Sequence, residues 1–205
     1  MIDRQLAARG IRDPRVLEAF RRVDRALFVR PTDLAEAYED RPLAIGHGQT
    51  ISQPYIVALM TEQLAVRPTD RLLDIGTGSG YQAALLGRLA AEVHTIERLA
   101  SLTESARQAV RLCGIENVHF HVGDGTLGWP DAAPYDGILV AAAAPEVPEA
   151  LTGQLADGGR LILPLGGRDR QVLTWILRRG EQFDRKTLCD CVFVPFIGRA
   201  GWRGE

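Results

Sequence analysis

Two stretches of this 205-residue chain carry residue types arranged for chemistry. One is Gly48-Gln49-Thr50-Ile51-Ser52-Gln53-Pro54, a run of hydroxyl and amide side chains closed by a proline. The other is Asp74-Ile75-Gly76-Thr77-Gly78-Ser79-Gly80, a short glycine loop. Glycines there permit tight turning and close backbone approach, and the helix that follows offers unpaired N–H groups. A dinucleotide fingerprint wants its third glycine one place later, where this chain has Tyr81. The compressed spacing favours a nucleoside ligand without a pyrophosphate, such as adenosylmethionine; a purely structural strand-to-helix turn is the alternative. Two acids extend the pattern. Glu97 closes the next expected strand, where a carboxylate can accept both ribose hydroxyls, and Asp124, within Gly123-Asp124-Gly125, is placed to meet an adenine amino group. Each acid alone also reads as a helix cap or a turn residue. Together the three elements sit at successive strand ends, where ligands of such sheets bind.

The chain offers little that can act as a base or nucleophile. Its histidines are His47, His94, His119 and His121. His119 and His121 alternate on an expected strand and share a face, but no Cys or Asp lies at ligand spacing from them, so no metal is expected. His94 reads as an ordinary strand residue, and Cys113, Cys189 and Cys191 have no triad partner. Methyl transfer from a sulfonium to a carboxylate needs no such group. The acceptor is already ionised at neutral pH, its reference pKa being about 4. It must only be aligned with the methyl group and shielded from water. A chain with this loop and no evident base suits a carboxylate acceptor.

These groups need a scaffold. Residues 1 to about 30 read as helical, with Val16, Leu17, Phe20, Val23 and Leu27 in phase and Asp13-Pro14 as a start signal. Residues 38–54 read as an irregular functional loop, followed by a helix over 55–65. Strands are expected at 71–75, 92–97, 117–122, 135–142 and 160–165, and helices at 80–90, 100–113 and about 148–155. That alternation predicts parallel strands with right-handed crossovers. Residues 171–179 and 183–195 read as a hairpin that adds an antiparallel finish to the sheet. The fold class is therefore α/β, Rossmann-like, with N-terminal accessory helices. One domain over 1–205 is expected, 1–68 carrying helices and the active-site loop and 69–205 the core.

Composition narrows the function classes. A net charge of -2 argues against a general nucleic-acid binder, although residues 1–30 hold eight arginines against four acids. A solvated charged face is the reading preferred over an RNA-facing helix. The N-terminus lacks a signal-peptide pattern, no apolar run is long enough to span a bilayer, and three cysteines without C-x-x-C spacing suggest reduced thiols. A cytoplasmic monomer is expected.

The motifs together resemble the protein-L-isoaspartate O-methyltransferase family. The resemblance is carried by residues 37–54, by Asp74 to Ala84, by His94-Thr95-Ile96-Glu97-Arg98 and by Gly123-Asp124-Gly125. Ala142-Ala143-Ala144-Pro145 with Pro148, Gly158 to Pro164, and Val192-Phe193-Val194-Pro195 complete it, in order over almost the whole chain. It implies an adenosylmethionine-dependent enzyme that methylates the free carboxylate of L-isoaspartyl residues in proteins and peptides, starting repair through a succinimide. It places Ser52 at the reacting carboxylate, with Thr50, Ile51, Ala142 and Ala143 on the substrate side. It places Ile45, Gly46, His47, Gly48 and Thr50 over the cofactor. Asp74, Gly76, Thr77 and Gly78 then line the methionine end, Glu97 and Arg98 the ribose, and Asp124 and Gly125 the adenine. A helix N-cap is the other role for Ser52. Peptide-tailoring methyltransferases of this fold often carry an extra substrate domain, and none is expected in a sequence that runs to Glu205 directly after its last strand. A non-catalytic binding module would have lost the acids or Ser52.

Overall fold

A computed structural model describes residues 1–203; the last two residues of the expected domain, 204 and 205, lie outside the described residues. The N-terminal 30 residues are not one helix. A turn of π-helix (Ile2–Leu6) and a 3-10 turn (Ala7–Arg9) stop at Gly10, which adopts φ +101°. Helix α1 covers only Pro14–Arg22, its start capped by Asp13, which accepts from the Arg15 N–H. Asp24 then caps a separate 3-10 turn, Arg25–Phe28, by accepting from the Ala26 N–H. Each local cap interrupts the expected periodicity, and Leu27 emerges 42% exposed while Val16, Phe20 and Val23 are buried.

A second departure concerns the expected loop. Residues Leu43–Gly46 form strand β1 and Gln49–Ile51 form strand β2, paired antiparallel with Leu43 opposite Ile51. Both of those side chains are buried, which anchors the hairpin to the core. Its tip, Gly46-His47-Gly48, runs entirely at positive φ. Helix α2 follows at Pro54–Leu64.

The remaining order is β3 (Arg71–Ile75), α3 (Tyr81–Gly87), β4 (Glu92–Glu97), α4 (Ala100–Leu112), β5 (Val118–Val122), β6 (Tyr135–Val140), α5 (Glu149–Gly153), β7 (Leu155–Gly166), β8 (Gln171–Arg179) and β9 (Gln182–Cys191). One sheet joins them in the order β5-β4-β3-β6-β7-β8-β9. The first five are mutually parallel; β8 runs against β7, and β9 against β8. The α/β class with a C-terminal antiparallel hairpin is thus observed. Both sheet faces are covered, as parallel strands require. Leu73, Ile75, Ile138 and Val140 bury one face, while Leu72, Leu139 and Ile162 bury the other against Met60 and Leu64 of α2. Each such side chain contributes about 1.5–3 kcal/mol.

The final strand ends earlier than its apolar sequence implies. β9 stops at Cys191, and the Phe193 N–H donates to Gln171 Oε1 at 2.8 Å instead of continuing the ladder. Residues 193–197 then cross back to β6: Ala143 N–H donates to the Val194 carbonyl (2.8 Å), and Phe196 N–H to the Ala143 carbonyl (2.9 Å). The Trp202 indole N–H donates to the same Ala143 carbonyl at 2.9 Å.

Candidate active site

The carboxyl ends of β3, β4 and β6 converge, and their loops are tied together by backbone bonds. Ala141 N–H donates to the Ile75 carbonyl (2.8 Å) and Gly123 N–H to the Glu97 carbonyl (3.0 Å). After β3 the chain turns through Gly76, Gly78 and Gly80, all at positive φ. At Gly80 packing adds a second demand, since a Cβ there would stand 2.9 Å from the Ala106 Cβ on α4. Four of the amides of this turn are already engaged. Gly76 and Thr77 donate to the Ile96 carbonyl (2.9 and 3.4 Å), Gly78 to Glu97 Oε2 (3.1 Å), and Gly80 to the Thr77 carbonyl (2.8 Å). A phosphate cradle would keep such donors open. Instead, two carboxylates adjoin the loop.

Glu97 is the first of these. It is buried, lines the cavity, and uses its other oxygen to accept from the Leu99 N–H at 3.1 Å. It is therefore a cap on the approach to α4 and a cavity wall at once. Asp74 is the second, fully buried on β3. Its Oδ2 accepts the Thr95 hydroxyl at 2.9 Å, and Thr95 Oγ1 lies 2.7 Å from the Thr77 hydroxyl, which connects the loop to the sheet. Its Oδ1 has no partner. Burial pushes the Asp74 carboxyl up to about 7; the Thr95 hydroxyl opposes that rise and the nearby Glu97 adds to it. Spent amides and two carboxylates disfavour a pyrophosphate and fit a hydroxylated ligand that is neutral or cationic.

The loop borders an open cleft. One wall is Ile75–Ser79 with Ile96, Glu97 and Arg98; Gly125, Ala141 and Ala142 continue it. Gln49–Ser52 close one side and Phe193–Ile197 another. Among the lining residues only Glu97 and Arg98 are charged, and none is His, Lys, Cys or Asp. The end of the cleft near Ser52 therefore presents hydroxyls, amides and apolar groups, with no imidazole or amine to act as a base.

Of the residues singled out from sequence, Thr50, Ile51, Ser52, Gly76, Thr77, Gly78, Glu97, Arg98, Gly125 and Ala142 share this cleft. The others stand off its wall. Ile45 packs over the glycine loop, its Cδ1 3.4 Å from where a Cβ on Gly78 would be. Gly46, His47 and Gly48 form the hairpin tip, with His47 Nε2 3.1 Å from the Ser101 hydroxyl at the start of α4. Ala143 is buried and engaged by Val194, Phe196 and Trp202 as described. Asp124 lies behind Gly125: Oδ1 accepts the N–H and the hydroxyl of Thr126 (2.9 and 2.6 Å), and Oδ2 accepts the Arg199 N–H (2.8 Å). Burial alone would raise its pKa, but the bonds from Thr126 and Arg199 outweigh that and hold it below its ordinary value.

Ser52 is not the cap of α2. The helix starts at Pro54, its N-cap position is Gln53, and the Tyr55 N–H is taken by Asp40 Oδ1 at 3.1 Å. The Ser52 hydroxyl is left to the cleft, while its carbonyl is held from behind. Arg25, fully buried, donates from Nη2 to that carbonyl (2.9 Å) and from Nε to the Ala37 carbonyl (2.9 Å). Its guanidinium also lies 5.1 Å from the centre of the Tyr81 ring. Arg9 pairs with Asp40 and stacks 3.5 Å over Tyr55. The sequence pattern predicts a solvated face for the N-terminal arginines. Arg25 is buried and departs from that reading, bracing the acceptor side of the cleft, while Arg9 stays solvent-exposed as it packs on Tyr55.

Sequence reasoning also missed Phe193–Ile197 as a wall. The only signal was an apolar run too long for an edge strand, from Val192 to Phe196. Met60, Val57 and Gln82 line the cleft too, Gln82 being held by its amide donating to the Thr61 hydroxyl at 2.9 Å.

Comparison with known proteins agrees with this geometry. The family model described as Protein-L-isoaspartate(D-aspartate) O-methyltransferase matches residues 1–201. A protein-L-isoaspartate O-methyltransferase of Methanoregula boonei is 56% identical over 202 residues, covering 98% of this chain and 93% of that protein. One from Roseiflexus sp. is 51% identical over 205 residues, covering 100% and 94%. Among solved structures, a protein-L-isoaspartate O-methyltransferase from Plasmodium falciparum in complex with S-adenosyl-L-homocysteine aligns with a TM-score of 0.83 at 28% identity, covering 96% of each chain.

Proposed function

We propose a division of labour in this site from one premise: the chain belongs to the protein-L-isoaspartate(D-aspartate) O-methyltransferase family. Its reaction is methyl transfer from S-adenosyl-L-methionine to the free carboxylate of L-isoaspartyl residues in damaged proteins and peptides. When bound, adenosylmethionine supplies a methyl group activated by a sulfonium. Everything else is binding, alignment and exclusion of water.

The residues divide as follows. Glu97 accepts the ribose hydroxyls, since its two carboxylate oxygens each keep a lone pair beyond the bonds from Gly78 and Leu99. Gly76, Thr77 and Gly78 hold the methionine end, with Asp74 beneath them as a carboxylate whose free Oδ1 favours a cationic neighbour. Gly125 and Arg98 border the nucleoside, and Asp124 positions Gly125 by capping the turn at Thr126. The hairpin tip, Ile45 to Gly48, lies over the loop, and Thr50 borders both cofactor and substrate. The Ser52 hydroxyl donates to the acceptor carboxylate, with Ile51 and Ala142 shaping its pocket and Ala143 supporting Ala142.

No proton need be removed from the acceptor, because a carboxylate is ionised at neutral pH. The observation that carries this reading is the composition of the cleft: Ser52 and the glycine loop border one space with no His, Lys, Cys or Asp in its lining, and its one carboxylate, Glu97, is held by the Gly78 and Leu99 amides. The methyl ester carries a leaving group, methoxide, that a free carboxylate lacks, so the amide nitrogen of the following residue, losing its proton, attacks the ester carbonyl, methanol departs and a succinimide closes. Hydrolysis then returns part of the material as normal aspartate.

The unit that acts is a single methyltransferase domain over 1–205, residues 1–68 supplying the N-terminal helices and the active-site segment and 69–205 the Rossmann-like core. It works as a cytoplasmic monomer on isoaspartyl proteins and peptides, without nucleic acid. Support comes from the N-terminal arginines, which are engaged internally: Arg9 with Asp40, Arg15 with Asp13, Arg22 with Glu18 and Arg30 with Asp33. In addition, no helix among the described residues is long and apolar enough to cross a membrane.

The decisive experiment uses methyl-labelled adenosylmethionine and paired peptides that differ only in Asp against isoAsp. Base-labile label on the isoAsp peptide alone is expected. Label on the Asp peptide, or on neither, overturns the assignment.

A further inference from the structure

On the sheet face away from α4, near the start of β4, three side chains converge that the sequence did not bring together. Glu92 Oε1 lies 3.2 Å from His94 Nε2 and 3.4 Å from His119 Nε2, and the three donor atoms all fall within 4.8 Å of one another. Parallel pairing produces the match by placing His94 directly beside His119. We propose that Glu92, His94 and His119 form a divalent transition-metal site of the zinc type, with water completing the coordination.

The geometry supports this in three ways. Donors about 2.0–2.2 Å from a tetrahedral ion stand about 3.3–3.5 Å apart, close to the two separations observed here. The donor set, two imidazoles and one carboxylate, suits zinc and its neighbours rather than magnesium or calcium. The outer contacts also orient the ligands. His94 Nδ1 lies 2.9 Å from His121 Nε2, and its Nε2 lies 3.2 Å from Glu92 Oε1, an acceptor; on metal binding the proton moves from Nε2 to Nδ1, which donates to His121 and turns the Nε2 lone pair toward the ion. His121 is fixed in turn by stacking on Trp129, ring centres 3.9 Å apart at 20°. Glu92 keeps its second oxygen on Arg71 Nε at 2.7 Å, which sets the direction of Oε1. His119 is half-exposed, leaving an entry path.

The site has no part in methyl transfer. Glu92 opens β4 and Glu97 closes it, about 16 Å apart at the rise of a strand. An ion there would staple β5, the edge strand, to β4. Because His119 meets Glu92 and His94 only when β4 and β5 pair, binding would stabilise the fold by mass action.

The test is titration of tag-free, chelator-treated protein with zinc chloride alone, by calorimetry, with thermal unfolding in parallel. One zinc per chain is expected at micromolar Kd or tighter, with a melting temperature that rises with zinc. His119→Ala and Glu92→Gln should each weaken binding at least tenfold, and His119, being half-exposed, can be removed without harming the fold. Substituted cobalt should give the absorption of a four-coordinate nitrogen–oxygen site in the parent and not in His119→Ala. A Cys189→Ser, Cys191→Ser double variant should bind as the parent does. Absence of saturable binding, binding indifferent to His119→Ala and Glu92→Gln, or binding lost with the cysteines overturns the proposal.

Discussion

The guanidinium of Arg25 and the carbonyl of Ser52 are joined by a hydrogen bond of 2.9 Å inside the protein, on the side of Ser52 away from the cleft. Burial lowers the Arg25 pKa to about 10, Tyr81 and Asp40 opposing the shift, so the side chain stays charged at neutral pH. That charge is retained where Ala37, Ser52 and the Tyr81 ring meet. Arg25 thus fixes the backbone that carries the proposed acceptor hydroxyl and stacks on the residue that opens α3, immediately beyond the glycine loop.

Arg25 is accordingly a positioning residue. Arg25→Met keeps most of the apolar stem but leaves two carbonyls without their donor, at a cost of about 1–3 kcal/mol each. The expected outcome is a loss of at least tenfold in kcat/KM for an isoaspartyl peptide, with affinity for S-adenosyl-L-homocysteine changed less than threefold. Steady-state kinetics and calorimetry measure the two quantities. A parallel fall in both would mean that Arg25 supports the fold generally and not the acceptor loop.

Ser52→Ala removes a hydroxyl that caps no helix. Stability should therefore change little, with the melting temperature within about 2 °C of the parent. Loss of one hydrogen bond to a charged acceptor, worth about 1.5–3 kcal/mol, should lower kcat/KM some 10- to 150-fold while cofactor affinity holds. Equal losses in turnover and cofactor binding would show that the residue shapes the site without touching the carboxylate.

Glu97→Gln tests the cofactor side. Glutamine can keep one of the bonds from Gly78 and Leu99 through its carbonyl, but its amide cannot accept a ribose hydroxyl. Affinity for S-adenosyl-L-homocysteine should drop about 10- to 100-fold, with the folded state preserved by circular dichroism. Unchanged affinity would leave Glu97 with only its structural bonds.

What the sequence made legible follows from burial. The strands β3 and β6 and the Leu161–Leu165 part of β7 are buried and read as apolar runs, whereas β4 (Glu92–Glu97) is buried with His94 and Thr95 inside it and is legible mainly by its place in the alternation; the glycine loop must sit where β3 hands over to α3. The β1–β2 hairpin was hidden because its strands are three and four residues long and only Leu43 and Ile51 are buried. Phe193 to Ile197 is apolar because it walls the cleft, and that apolar character imitates a longer β9. Arg25 was one arginine among eight, and nothing local marks the one that tertiary packing buries. The meeting of Glu92, His94 and His119 depends on the register between β4 and β5, which no spacing within either strand discloses. Asp124 was found by its position at a strand end, but that position also serves a turn, and in the structure its oxygens are taken by Thr126 and Arg199.

Asp74 gives a prediction in pH. Its carboxyl, ordinarily near 3.8, stands at about 7 in the folded protein, chiefly through burial. Between those values the folded state holds a proton that the unfolded chain has released. Stability from this group therefore falls as pH rises from about 4 to 7 and is level above, by on the order of 4 kcal/mol in total. Burial holds His94 and His121 below their usual range, which pulls the opposite way over part of the same window, so the parent curve alone does not isolate Asp74. Asp74→Asn does. Asparagine can still accept the Thr95 hydroxyl but does not titrate, and the histidine contributions cancel in the difference. Chemical unfolding at pH 4.5, 5.5, 6.5 and 7.5 should show the variant gaining on the parent as pH rises, most steeply below 7. Parallel curves would mean that Asp74 ionises at its ordinary pKa despite its burial. The carboxylate beneath the glycine loop would then be charged throughout the physiological range, without needing a cationic ligand to hold it so.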